Sequence, residues 1–134
     1  MANEATFIIA PKNVITRSCY DAVAIPKGTV LKLSGTNYVY PSVAADTGVP
    51  YGGIAIEEKT AGDSVTTIGV GYNDGVADIK NSSDIAGAVG TKVCLSGANM
   101  YRAAIAADLL TGAVIGELEE VGTASGTDRV RLLP

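Results

Sequence analysis

The chain has 134 residues, of which 47% are hydrophobic, with ten basic against fourteen acidic side chains, no histidine and no tryptophan. A length of one domain and a mean hydropathy of +0.27 exclude a disordered chain, since enough apolar side chain is present to offset the entropy of ordering. The net charge of −4 without a basic cluster speaks against a nucleic-acid surface, and the lack of histidine removes every His-based triad and His-ligated metal site.

In chain order, residues 1–13 read as an extended N-terminal arm ahead of a single β domain over residues 14–134. The opening MANEATFIIAPKN has no basic n-region, so the expectation is a chain without a secretory signal, kept in a reducing compartment with Cys19 and Cys94 as thiols. No apolar stretch reaches the length of a membrane span. The arm carries the apolar cluster Phe7-Ile8-Ile9. Two readings stay open for it: strand addition onto a partner's sheet edge, or an added edge strand on its own domain.

The strongest feature is an internal repeat. GTVLKLSGTNYVYPSVAAD at residues 28–46 returns as GTKVCLSGANMYRAAIAAD at residues 90–108, an offset of 62, with 11 identities in the 31 ungapped positions that end at Glu58 and Glu120. Half-repeats over about 28–69 and 90–133 predict a pseudo-two-fold packing of related halves around a shared core. Thr29 to Leu33 alternates, which puts Leu31 and Leu33 inward and Lys32 outward; its repeat puts Val93 and Leu95 inward and Cys94 outward, off the main core, either partly exposed or in a subunit contact. Ser-Gly-x-Asn then predicts a tight hairpin in each half, with Tyr38-Val39-Tyr40 and Met100-Tyr101-Arg102 as the returning strands.

Ile54 and Ile56 share a strand face, as do Gly116 and Leu118 at the repeat positions. Ser64 to Ile68, Val76 to Ile79 and Asp128 to Leu132 complete a set of about ten short strands between turn residues. Gly69 to Gly75 reads as a turn. Ala103 to Leu110 reads as a connector with at most a short turn of helix, and Ser83 to Ala86 is the other helix candidate. The class is all-β, a compact barrel or sandwich.

Chemistry is sparse. Glu57-Glu58 and Glu119-Glu120 are paired carboxylates, but neighbours on a strand point to opposite faces, so neither doublet is a dyad. Gly69 to Gly75 lacks the helix and lysine of a phosphate cradle, and Asp74, Asp78 and Asp84 lack the density of a calcium loop. No catalytic, metal or cofactor site is expected. Six tyrosines against one phenylalanine point instead to contact surfaces, because tyrosine combines apolar area with a hydroxyl.

Ala24 to Leu33, Gly52 to Glu58, Ala61 to Val65, Ala113 to Leu118 and Val130 to Leu132 resemble segments of the small capsid cement proteins of tailed bacteriophages, also called head decoration proteins. The resemblance runs from about Asp21 to Leu133 and rests on turn glycines and strand alternation. It implies a small β-rich subunit, commonly a homotrimer, made in the host cytoplasm and bound to the outer surface of the mature virion head. There it clamps neighbouring capsomers of the major capsid protein, without enzymatic activity, cofactor, nucleic-acid or membrane partner. On that reading Phe7, Ile8 and Ile9 are the expected shell or neighbour contacts, and Tyr38, Tyr40 and Tyr101 the subunit interface. Removing residues 1–13 is then expected to leave a folded protein that no longer binds shells. A small-ligand or carbohydrate-binding β-barrel is the alternative and would show a pocket with convergent polar groups; a carboxylate hydrolase would need two acids from separate strands facing one cleft.

Overall fold

Thr6–Ile9 (β1), Asn13–Ser18 (β2), Val30–Leu33 (β3), Val39–Pro41 (β4), Tyr51–Ala55 (β5) and Thr67–Asn73 (β6) are followed by Val76–Asn81 (β7), Lys92–Leu95 (β8), Met100–Ala103 (β9), the helix Ala106–Thr111 (α1), Val114–Leu118 (β10) and Thr127–Leu132 (β11). This computed structural model describes residues 3–34, 37–82, 87–123 and 125–132, and of Tyr72 and Asn73 the backbone alone.

The strands form two sheets with one topology. The first runs β2-β6-β5-β3-β4 and the second β7-β11-β10-β8-β9, with β1 added outside β7. In the second, β9 returns to β7 in parallel through Lys80 with Met100 and Asn81 with Tyr101, which closes a five-stranded barrel. The first comes round in the same sense, with a parallel bridge between Ser18 and Tyr38, each 62 residues before its counterpart. The architecture is therefore all-β, and each half-repeat, extended at its N-terminal side by β2 in the first and β7 in the second, is a small barrel module.

Matched main-chain bonds show how the repeat is encoded. Ser34 N–H donates to Tyr38 O and Ser96 N–H to Met100 O, closing the two hairpins, while Asn37 and Asn99 take positive φ of 66° and 60°. Further on, the structural offset becomes 63. Leu31 pairs with Gly53 as Val93 pairs with Gly116, and Val30 with Ile54 as Lys92 with Glu117. Each pair sits beside a bulge, and the module two loop is one residue longer. Gly116 thus corresponds to Gly53 and not to Ile54, so the ungapped alignment through Glu58 and Glu120 is out by one in this strand.

Alternation fills each barrel. Leu31, Val39, Ile68, Val70, Cys19, Ile25 and Ala55 make the core of module one; Ile79, Val93, Leu95, Tyr101, Ile115, Leu118, Val130 and Leu132 are central to that of module two. The expected shared core is instead two cores. Val30, Tyr51 and Ile54 leave their own barrel and join the cluster of the second, which cements the halves together. Burying such side chains stabilises by about 1.5–3 kcal/mol each before ordering costs.

Two local readings change. Gly69 to Asn73 is strand, not turn, with the turn confined to Asp74-Gly75. Ile68 and Val70 point inward, and the outward glycines leave room for cover: a Cβ on Gly69 would stand 3.2 Å from Ile56 Cδ1, and one on Gly71 would overlap Pro11. The strand β2 carried no alternating pattern because most of its side chains are exposed. The connector expected at Ala103 to Leu110 holds the six-residue α1, ended by Gly112 at φ 72°. Ser83 to Ala86 lies outside the described residues.

Candidate interaction surface

The arm folds back on its own chain. Ala5 N–H donates to Gly28 O at 2.8 Å, and β1 pairs antiparallel with β7 through Thr6 with Asp78 and Phe7 with Ala77. Of the two readings left open for it, the structure has the edge strand. Phe7 packs on the core of module two, so it is largely a structural residue, whereas Ile8 and Ile9 stay 45% and 57% exposed. Val14 and Ile15, on the outer strand β2 of module one, are exposed as well. Removing residues 1–13 would therefore strip a strand, the buried Ala5 and the partly buried Phe7 from the fold, and point substitutions are the cleaner probe.

Between arm and first barrel lies an open groove of about 710 Å³, lined by Phe7, Pro11, Val14 and Ile56, with Glu4 and Lys27 as its charged side chains. The groove is external. Both barrel interiors are occupied by the side chains of their own strands.

The tyrosines divide. Tyr20 stacks on Tyr38 with ring centroids 4.6 Å apart and lies 5.4 Å from Tyr40, making a partly exposed aromatic plate on module one. A hydrogen bond with Tyr20 is the main reason that the Tyr40 hydroxyl has a raised pKa. Tyr101 does not belong to this surface. It is 2% exposed, inside the second barrel, with its hydroxyl donating to the buried carboxylate of Asp128, which also accepts from Thr123 N–H at 2.9 Å. Burial foremost, then that bond, keeps the phenol neutral. The signal was available in the repeat: 62 positions earlier stands the inward Val39, while Tyr38 and Tyr40 align with Met100 and Arg102.

Cys94 is also corrected. Its side chain leaves the barrel on the outer face, as alternation requires, but it is fully buried there under Arg102 and Asp108. Desolvation by this cover pushes the thiol up to about 12. Because the thiolate is the reactive form, a thiol reagent at pH 8 is expected to leave the native protein unlabelled at Cys94 and to label it once denaturant is added. Labelling of the native chain at the denatured rate would show that α1 opens freely.

The carboxylates serve the fold. Glu57 accepts from Gly69 N–H and Glu120 from Arg129 N–H, each at 2.8 Å, pinning the same strand start in both modules. Asp46 and Asp108 accept from Val43 N–H and Ile105 N–H, again at 2.8 Å, and each binds a cation of its sheet: Lys32 at 3.0 Å, Arg102 at 2.8 Å. The Arg102 guanidinium first, then Ile105 N–H, holds the Asp108 carboxyl below its ordinary value. Lys59, which sequence reasoning passed over, is a buried amine donating to the carbonyls of Asp21, Val23 and Thr60 and paired with Asp63 at 3.2 Å. Among the described residues no three His, Cys, Asp or Glu side chains are grouped to hold a metal ion, and no helix is long and apolar enough to cross a membrane.

No protein-family model matches this chain, and a search of curated proteins returns no match.

Proposed function

We propose that this chain is a capsid decoration protein that binds the outside of a mature phage head as a homo-oligomer, a trimer on the resemblance noted above, and reinforces contacts between capsomers of the major capsid protein. The observation that carries the reading is the exposed apolar edge made by Ile8 and Ile9 on β1 and by Val14 and Ile15 on β2. Each of these strands is an outer member of its own sheet, so side chains and main-chain groups are offered together, as strand addition requires. Filled barrels and carboxylates engaged in backbone bonds suit a rigid clamp. Many copies on a symmetric lattice convert weak single contacts into lasting occupancy.

The test is co-sedimentation of the purified protein with expanded, undecorated tailed-phage shells. Wild type is expected in the pellet, and the Ile8→Asp, Ile9→Asp double variant in the supernatant, with at least a roughly tenfold loss of affinity for two desolvated contacts of this kind. Equal pelleting of both would remove these residues from the contact. The groove beside Phe7 favours the second reading, a small-ligand module. Thermal stabilisation by mono- or oligosaccharides without shell binding would put that reading first.

A further inference from the structure

Beside the bonds of Tyr51 N–H to Gly112 O at 3.0 Å and of Thr111 Oγ1 to Gly48 O at 3.1 Å, the modules meet through a hairpin contact that runs in one direction. Residues of the front of module one, Val30, Ser42, Asp46 and Thr47, meet the hairpin of module two. Val30 N–H donates to Asn99 Oδ1 at 2.8 Å, Asn99 N–H to Ser42 Oγ at 3.0 Å, Gly97 N–H to Asp46 O at 2.5 Å, and Arg102 Nε to Thr47 Oγ1 at 3.0 Å. A two-fold contact would repeat these bonds with the modules exchanged, bringing Lys92 and Leu109 against Asn37 and Tyr40. Instead Asn37 and Lys92 are exposed, and so are Leu109 and Leu110, at 59% and 91%. Among the described residues, Lys92, Leu109 and Leu110 on the front of module two and Asn37 on the back of module one therefore have no counterpart of these bonds within the chain.

We infer that these two surfaces join one copy of the chain to the next, head to tail, in the manner in which module one joins module two. The substitutions at the repeat positions are complementary. Within the chain, Thr47 meets Arg102, polar on polar; between chains, Leu109 takes the place of Thr47 and Tyr40 that of Arg102, apolar on aromatic. Leu109 and Leu110 then lie against the plate of Tyr20, Tyr38 and Tyr40, whose exposure on an otherwise polar surface they end. The apolar sheet face is not repeated. Lys92 and Glu117 stand where Val30 and Ile54 stand in module one, and they pair with each other at 3.2 Å. The contact between chains thus has a small apolar centre with a charged rim, and is weaker than the one inside the chain. Being heterologous, it closes a ring or continues as a filament. This deepens the oligomer part of the proposed function, but it concerns the free protein and is measured without shells.

The experiment uses single-cysteine additions at positions that are exposed in the monomer. Chains carrying Lys92→Cys are mixed with chains carrying Asn37→Cys under mild oxidation and run without reductant. The internal counterparts of these positions, Val30 and Asn99, are in hydrogen-bond contact. A cross-linked dimer is expected in the mixture at several times the amount formed by either variant alone, and Leu109→Asp with Leu110→Asp should abolish it. In light scattering the same aspartate pair should reduce the wild-type mass to the 13.6 kDa of one chain with an unchanged circular dichroism spectrum. No cross-link in the mixture, equal cross-linking of each variant with itself, or full-size oligomers after the leucine substitutions would each overturn the head-to-tail contact. None of these results depends on whether shells are bound.

Discussion

Gly116→Ala is expected to destabilise the protein by about 3 kcal/mol or more, since a forced overlap against main chain has no rotamer through which to relax. Gly116 lies in the middle of β10, paired on one side with Val93 and on the other with Leu132. A Cβ there would overlap the carbonyl oxygen of Arg131 and stand 3.0 Å from Leu132 Cα. Both neighbours are ladder atoms of a closed barrel, and neither strand can withdraw without breaking its own pairing. Gly90→Ala is the control. Gly90 has a positive φ of 87°, but nothing lies within 4 Å of an added Cβ, so only the left-handed backbone is penalised, at about 1 kcal/mol. Urea unfolding of both variants checks the difference. Equal costs would mean that β10 shifts to admit the methyl group.

Asp128→Ala is the second large effect, about 3 kcal/mol. The carboxylate is 1% exposed and accepts from the Tyr101 hydroxyl and the Thr123 amide. Alanine would leave the phenol buried without its acceptor and would open a void beside it. Tyr101→Phe removes the hydroxyl while keeping the ring, and should cost less, about 1 kcal/mol. Because the two side chains are one unit, the double variant is expected to be clearly less destabilised than the sum of the singles. Strict additivity in denaturant melts would show that Tyr101 and Asp128 do not depend on each other. The first module has an isoleucine, Ile68, at the start of its corresponding strand, so this polar pair belongs to the second barrel alone.

The repeat was readable because turns, capping carboxylates and positive-φ positions tolerate few residue types. Gly28 and Gly90 both have φ 87°, and Asp46 and Asp108 both hold the N–H three residues back. Such local constraints survive as identities. The shift of offset from 62 to 63 was not readable, because the extra residue falls before β10 where the halves share no identities, and the doublets Glu57-Glu58 and Glu119-Glu120 match at an offset of 62. Nor was the burial of Cys94, whose cover comes from Arg102 and Asp108, brought over it by tertiary folding. The arm was half legible: its apolarity marked it as a strand in need of a partner, but only the structure names β7. For the candidate surface, the sequence reading named Ile8 and Ile9 as shell or neighbour contacts, and the fold leaves both side chains exposed. Tyr20, Leu109 and Leu110 were missed, the leucines because an alanine-leucine run in a connector resembles any buried helix until its neighbours are known.

The two barrels are closed unequally. The second is sealed by two ladder pairs between β7 and β9 and by Ser82 N–H donating to Tyr101 O at 2.8 Å, whereas the described residues of the first meet at the corresponding place in the main-chain bridge of Ser18 to Tyr38 and the stack of Tyr20 on Tyr38. With fewer main-chain pairs at its seam, the first barrel is expected to open before the second. Tension on the chain would be relieved along β2 and β4 while the second barrel stayed shut.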